Sequence, residues 1–275
     1  MAVPPLRALV ADGHDIRLVL TRADKRRGRG ATLMPSPVKA AALGLGLPVT
    51  DQVDDVIDAG AELGVVVAFG RLIKPHVLEA LPMVNVHFSL LPRWRGAAPL
   101  ERAILAGDTE TGVCLMQLEE GLDTGPVYAC TRLEIGPEES AAELRARLVD
   151  AGTDLLIDSL RDGLGTPTPQ EGEPTYAEKI DPAEHQIDWT RPAEDVHRTI
   201  RIGDAWTTFR GKRLKIPRAR RAANGLSPGA IDGLRVGTGH GALELVEVQP
   251  EGKAPMAAAD WRNGARPRAD ERLGD

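Results

Sequence analysis

The sequence predicts an α/β protein in two parts: an open, doubly wound Rossmann-like domain, then a small C-terminal β-barrel of OB-like type. Three observations carry this. Strand-like and helix-like stretches alternate over residues 1–165, the order expected of a sheet covered by helices. The run "VVVAF" at 65–69 has no polar alternation, which suits a strand buried on both faces, as in a parallel sheet. Beyond residue 190, short apolar runs are punctuated by glycine, the mark of short antiparallel strands.

Taken in order, "LRALVADGHDIRLVLT" reads as a helix ending near Gly13 and a strand from near Asp15. "ADKRRGRGATLMPSP" is a loop rich in Gly, Pro and Arg. "VKAAALGLGLPV" returns to helix and short strand, and "VDDVIDAGAELG" to helix. After "VVVAF", "MVNVHF" is the next strand, "APLERAILAG" a helix, and "VCLMQLE" with "VYACTRLEI" a strand pair. "EESAAELRARLVDAGTDLLIDSLRDG" is a long amphipathic helix, its glutamates at the end where the macrodipole favours them. Residues 166–190 carry Pro, Gly and charge without apolar periodicity and read as a linker. A short helix at "PAEDVHRTIRI" precedes the barrel strands. The predicted domains are therefore 1–165, 166–190 and 191–275. An open α/β sheet usually begins with a strand whose end helps form the binding crevice. This chain opens on a helix, so the sheet is expected to lack its first strand and the coding sequence to begin upstream.

Composition narrows the class. With 42% hydrophobic and 27% charged residues the chain reads as a soluble globular protein. No apolar run approaches the roughly 18 residues of a membrane-spanning helix. No basic flank followed by an apolar stretch marks a signal peptide, so a cytoplasmic location is expected. The spacing of Cys114 and Cys130 fits neither a zinc cluster nor a disulfide framework, and they read as two reduced thiols. The net charge of −6 argues against nucleic-acid binding over the whole surface. Basic residues are nonetheless gathered: residues 191–221 hold ten Lys or Arg against three acids, and "KRRGR" occupies 25–29. Such patches are ordinarily solvated faces, and become phosphate-binding ones only in the right context.

The chemistry-bearing stretch is "VNVHFSLLPRWRGAAP", residues 84–99. On a strand, Asn85 and His87 share one face roughly 6 to 7 Å apart, while Val84, Val86 and Phe88 share the other. Read alone, such a pair is satisfied by local hydrogen bonds. Its position at the carboxyl end of a predicted parallel strand favours a ligand site instead. An imidazole exchanges protons near neutrality, and a carboxamide supplies fixed hydrogen bonds to a developing oxyanion. A carboxylate beside the imidazole would orient it, and Asp123 in "GLDTGP" is a candidate whose approach to His87 spacing cannot establish.

On "VNVHFSLLPRWRGAAPLERAILAGDTETGVCLMQLEEGLDTG", with further stretches "GRGATLMPSPVK", "TYAEKIDPAEHQIDW" and "AWTTFRGKRLKI", the chain closely resembles the methionyl-tRNA formyltransferase family over nearly its whole length. The Asn-x-His, Ser-Leu-Leu-Pro and Leu-Asp-Thr-Gly elements are common to folate-dependent formyltransferases of this fold. The resemblance implies transfer of the formyl group of 10-formyltetrahydrofolate to the α-amino group of methionine on initiator methionyl-tRNA, without a metal. It implies a catalytic trio of Asn85, His87 and Asp123, with His87 kept charged by Asp123. It implies a folate-binding loop at Ser89, Leu90, Leu91 and Pro92. It also implies that Lys25, Arg26, Arg27 and Arg29 enter the acceptor stem, with Gly28 and Gly30 letting that loop reshape. Arg210, Lys212, Arg213 and Lys215 would lie along the tRNA backbone. A monomer is expected. Arg93 and Arg95 stay open between tRNA contact and pairing with acids near the cleft. Phe88 stands where many relatives have Gly and is expected to thicken the cleft wall. Two other readings are a formyltransferase for a sugar nucleotide or another small amine, which needs no basic barrel, and a non-catalytic tRNA-binding remnant. The intact trio speaks against the second.

Overall fold

The computed structural model describes residues 1–27, 32–223 and 225–275. Helix α1 (Val3–Ala11) begins with proline in its first turn, where a missing N–H costs nothing, and the chain turns at Gly13 with φ +87°. Strand β1 (Val19–Leu20) follows. The stretch expected to be irregular forms a hairpin, β2 (Lys25–Arg27) and β3 (Thr32–Met34). Helix α2 (Pro37–Gly44) is capped by Ser36, whose Oγ accepts the Lys39 N–H at 3.0 Å. Next come β4 (Val49–Thr50), β5 (Gly64–Val67), α3 (Pro75–Ala80), β6 (Met83–His87), β7 (Arg95–Gly96) and α4 (Pro99–Ala106). They are followed by β8 (Glu110–Gln117), β9 (Val127–Glu134), α5 (Ala141–Arg161) and β10 (Tyr176–Ala177). The helix expected at 53–64 is only a single 3-10 turn, Asp54–Val56. Aspartate is a weak helix former, Asp54 meets the His76 ring and Asp55 accepts the Thr50 hydroxyl, and Gly60, at φ +66°, turns the chain.

The chain forms two compact units. The first comprises residues 1–99, 110–134 and 145–178. Its main sheet has the order β5-β6-β8-β9, with β5 and β6 parallel and the other pairs antiparallel. Strands β1 and β4 form a separate parallel pair. Helix α5 lies so close to the main sheet that a Cβ on Gly152 would stand 3.0 Å from Val86 and 3.1 Å from Val113, with Phe88 at 3.6 Å. Phe88 therefore packs beneath the helix on the face opposite His87, and does not thicken a cleft wall. Apart from the buried residues between the main sheet and α5, such as Val86, Val113 and Leu156, two separate apolar clusters form: Leu6, Val19 and Ala42 in one, and Ile73, Val77, Leu81 and Met83 in the other.

The expected pair of separate thiols is overturned: Cys114 and Cys130 are joined in a disulfide. The register of β8 on β9 sets the two residues directly opposite each other. A separation of 16 in sequence, uninformative by itself, is closed by the hairpin.

The second unit comprises residues 100–109, 135–144 and 179–275. It adds α6 (Ala193–Arg201), β11 (Trp206–Phe209), β12 (Lys212–Ala222), β13 (Ile231–Asp232), β14 (Arg235–Gly237), β15 (Ala242–Pro250), β16 (Met256–Ala257) and α7 (Ala258–Ala265). The strands make one antiparallel sheet, ordered β11-β12-β15-β14-β13 with β16 also on β15. Strand β12 buries Leu214, Ile216 and then Ala219. The step out of alternation coincides with register shifts around Pro217, which bend a strand. Its core includes Trp189, Val196, Ile200, Ile216, Leu243 and Trp261. Among the described residues no helix is long and apolar enough to cross a membrane.

Candidate active site

Strand β6 is held on both edges, by β5 and by β8, so its end is a rigid platform. Asn85 remains half-buried there, while His87 is 5% exposed. The chain then folds back. Ser89 is fully buried, its Oγ donates to the Arg93 carbonyl at 2.5 Å, and the Arg93 N–H donates to the Leu90 carbonyl at 3.1 Å. The Leu91–Pro92 peptide is cis. Trp94 takes a left-handed conformation, φ +62°, which aims its carbonyl back at the strand. His87 Nε2 lies 3.0 Å from that oxygen. A carbonyl only accepts, so Nε2 carries the hydrogen.

The other imidazole nitrogen faces the carboxylate that sequence alone could not bring to it. Asp123 Oδ2 is 3.6 Å from His87 Nδ1 and accepts the Gly96 N–H at 2.8 Å. Asp123 Oδ1 is 3.5 Å from Asn85 Nδ2. Asp123 is itself at φ +50°, and Gln170 steadies its backbone. The Gln170 Nε2 donates to the carbonyls of Asp123 and Gly125, both at 2.8 Å. The Gln170 Oε1 accepts from Arg95 at 3.1 and 2.7 Å, so Arg95 meets a carboxamide rather than an acid.

Burial is the largest influence on His87 and pushes its pKa below the ordinary imidazole value. The Asp123 charge and the Trp94 carbonyl act the other way and do not overcome it. The expectation that Asp123 keeps His87 charged is thus corrected: the Trp94 carbonyl orients the ring, and desolvation favours its neutral form against the pull of the Asp123 charge.

Leu90, Leu91 and Pro92 form a half-buried apolar turn beside this trio. Of the basic residues, Lys25 and Arg26 are exposed on the β2–β3 hairpin, Arg27 is on β2, and Arg29 with Gly28 and Gly30 lies outside the described residues. In the second unit, Lys212 is exposed and Arg213 stacks on Trp206 at 4.3 Å. Lys215 pairs with Asp204 at 2.6 Å, and Arg210 is clamped by Glu271 at 2.7 and 2.8 Å. Strand β12 also exposes Arg218 and Arg220, which sequence reasoning did not single out although they continue the same basic run. Trp94, Gly96, Gln170 and Thr175 were missed as well; the Thr175 Oγ1 accepts the Trp94 N–H at 2.9 Å. The last two come from residues read as linker. Their signal is absent because the segment is extended and tied down by an isolated bridge, Val127 to Thr168, and by the short parallel pairing of β10 with β7.

A polar trio at the end of a buried strand, beside an apolar turn and followed by a basic antiparallel sheet, defines a two-domain transferase, and comparison with known proteins agrees. Residues 5–160 match the family described as formyl transferase, and residues 179–266 match the formyl transferase C-terminal domain. A methionyl-tRNA formyltransferase of Roseobacter denitrificans is 47% identical over 283 residues, covering 96% of this chain and 92% of that one. Its counterpart in Symbiobacterium thermophilum is 44% identical, covering 96% and 89%. Among solved structures, the N-formyltransferase of Helicobacter canadensis, in complex with folinic acid and dTDP-3-aminofucose, shares the fold. It gives a TM-score of 0.67 at 17% identity, over 90% of this chain and 95% of that one. The chain belongs to the methionyl-tRNA formyltransferase family.

Proposed function

We propose that this chain transfers the formyl group of 10-formyltetrahydrofolate to the α-amino group of methionine on initiator methionyl-tRNA. The observation that carries the reading is the convergence of Asn85, His87 and Asp123 at one strand end. The half-buried turn of Leu90, Leu91 and Pro92 offers the apolar surface a flat pterin ring needs, and it adjoins the trio. Ser89 serves this loop by folding it, since its hydroxyl is spent on the Arg93 carbonyl.

The folate would supply the one-carbon group at the formate oxidation level. The methionine amine attacks its carbon to give a tetrahedral adduct, whose collapse breaks the bond to the folate N10. The proton lost by the amine goes to that nitrogen as tetrahydrofolate leaves. Asn85 donates from a fixed carboxamide to the oxygen on which negative charge grows. One such donor typically lowers a barrier by about 3 to 4 kcal/mol. His87, held neutral, is able to take a proton from the attacking amine. The Trp94 carbonyl fixes the ring, and Asp123 favours the imidazolium once it forms. The rigidity of the Gly96 and Gln170 contacts means little reorganisation accompanies that step.

The basic strand β12 favours tRNA over a small amine as acceptor. Lys212, Arg213, Arg218 and Arg220 are the cations we assign to phosphates, joined by Lys25, Arg26, Arg27 and Arg29. Arg210 and Lys215 already hold carboxylates, and give those up to contact a backbone. The enzyme acts as a monomer in the cytoplasm. A formylation assay with methionyl-tRNA and free dTDP-amino sugar decides the acceptor. Turnover of the sugar in preference to the tRNA overturns the proposal.

A further inference from the structure

We propose that the disulfide between Cys114 and Cys130 is a redox-sensitive clamp on the catalytic carboxylate: oxidised, it holds the loop that carries Asp123, and reduction by a dithiol loosens that loop and slows formyl transfer. The inference rests on the function proposed above. In antiparallel strands, residues directly opposite each other share a face. His87 on β6 stands opposite Cys114 on β8, and Cys114 opposite Cys130 on β9. The imidazole and the two cysteine side chains therefore form one row across three strands.

The same bond closes a ring around the carboxylate. Residues 114–130 run along β8, through a turn and back along β9, and the bond joins the two legs. Asp123 lies in that turn. So does Gly125, whose carbonyl Gln170 holds together with that of Asp123. Between the bond and the turn the ladder slips register at Leu115 and Met116, an irregularity that interrupts pairing locally. Above the slip the neck is closed by hydrogen bonds, such as the Gln117 N–H to the Pro126 carbonyl at 2.9 Å. The disulfide is the covalent tie beneath them. Closing a loop removes conformations from it, which narrows the positions open to Asp123. Its Oδ2 stands 3.6 Å from His87, and small displacements of a catalytic group are costly.

The bond is open to exchange from one side. Cys130 is exposed and Cys114 fully buried, so a thiolate arriving from solvent attacks the Cys130 sulfur. The S–S bond breaks, and Cys114 leaves with the electron pair and takes up a proton. The second thiol of the attacking dithiol then displaces Cys130, which takes up another proton, and the dithiol ends as its own disulfide. Two electrons and two protons pass to the protein. The sequence holds no other cysteine, so a response of the enzyme to dithiols runs through this pair.

The test compares the oxidised protein, the same protein in excess dithiothreitol, and Cys130→Ser, all below the Tm of the reduced form. On reduction we expect kcat for methionyl-tRNA to fall roughly fivefold, with KM for both substrates unchanged. The loss is smaller than the roughly hundredfold of a misplacement by about 1 Å, because the Gly96 and Gln170 contacts remain. Amide exchange over 118–126 should quicken about tenfold, and the NMR titration of His87 should move down as the Asp123 charge recedes. Reoxidation should restore all three, and Cys130→Ser should match the reduced protein in either buffer. Equal kcat in the two states, a loss that appears in KM, or a response to dithiothreitol that survives in Cys130→Ser overturns the proposal. If formyl transfer is absent in both states, the functional reading fails instead, and exchange over 118–126 decides the clamp. Quickening on reduction then supports it, and unchanged exchange overturns it.

Discussion

The carboxylate of Asp123 presents a single oxygen, Oδ2, both to the imidazole of His87 at 3.6 Å and to the Gly96 N–H at 2.8 Å. The amide hydrogen bond fixes where the charge sits, and the imidazole is left close enough to feel it without a direct hydrogen bond. Replacing Asp123 by Asn keeps an acceptor for Gly96 and removes the charge. We expect kcat for formylation to fall about a hundredfold or more, with tRNA affinity unchanged, and the NMR titration of His87 to move further down. A titration that moves up, or unaltered kcat, refutes the role given to Asp123.

Asn85→Ala removes the fixed donor while leaving the strand intact. A loss of about a hundredfold to a thousandfold in kcat is expected, with little change in Tm because Asn85 is only half-buried. His87→Ala is expected to abolish turnover while leaving tRNA binding nearly as it was. Steady-state kinetics and a filter-binding titration check both.

Gly96 has no room for a side chain. Its φ is +119°, and a Cβ would stand 2.9 Å from the Ala177 carbonyl oxygen. Gly96→Ala must therefore move the backbone whose N–H holds Asp123. Misplacement of a catalytic group by about 1 Å costs on the order of a hundredfold, so kcat is predicted to drop by about that factor. Wild-type kcat in this variant would show that the Gly96 contact is dispensable.

Stability is predicted to fall as pH falls below neutrality, in two stages. His87 has a depressed pKa in the folded protein, so between that value and the ordinary 6.5 the unfolded chain binds the extra proton. Stability therefore rises with pH through this window and is lost below it. Glu271, held down to about 2 by Arg210 first and the Arg268 N–H second, contributes stability above its ordinary value of 4.5 that disappears as pH drops towards 2. Denaturant melts between pH 7 and 3 should show both slopes. His87→Gln should reduce the first slope and leave the part due to His197, whose pKa burial also lowers.

The bond between Cys114 and Cys130 closes a separation of 16 residues, a loop for which the chain-entropy estimate is about 3 kcal/mol. Oxidised protein should lose about that much stability on adding a thiol reductant, and Cys130→Ser should abolish the difference. Equal melts with and without reductant would show that the bond does not form in solution.

Much of this was legible in residue order. Alternation in "VNVHF" put Asn85 and His87 on one face, and strand pairing kept them there. The unbroken apolar run announced β5. Other features depend on pairings that no local pattern encodes. The meeting of His87 with Asp123 is set by β8 and its following turn, and Gln170 comes from a segment with no periodicity because no sheet or helix repeats along it. The state of His87 was misjudged because its burial is a property of the assembled turn, Ser89 to Trp94, rather than of any residue in it. The cysteines were misread for a like reason: strand register, not spacing, makes them neighbours.

The division of apolar packing in the first unit governs the order in which it comes apart. Separate clusters open as separate foldons, the smaller first. The lobe of α1, β1, α2 and β4 rests on its own small cluster, while Asn85, His87 and Asp123 are carried by the main sheet. Limited proteolysis on warming should therefore nick the stretch 20–50 while the trio still stands assembled, so that cleavage precedes loss of the catalytic geometry.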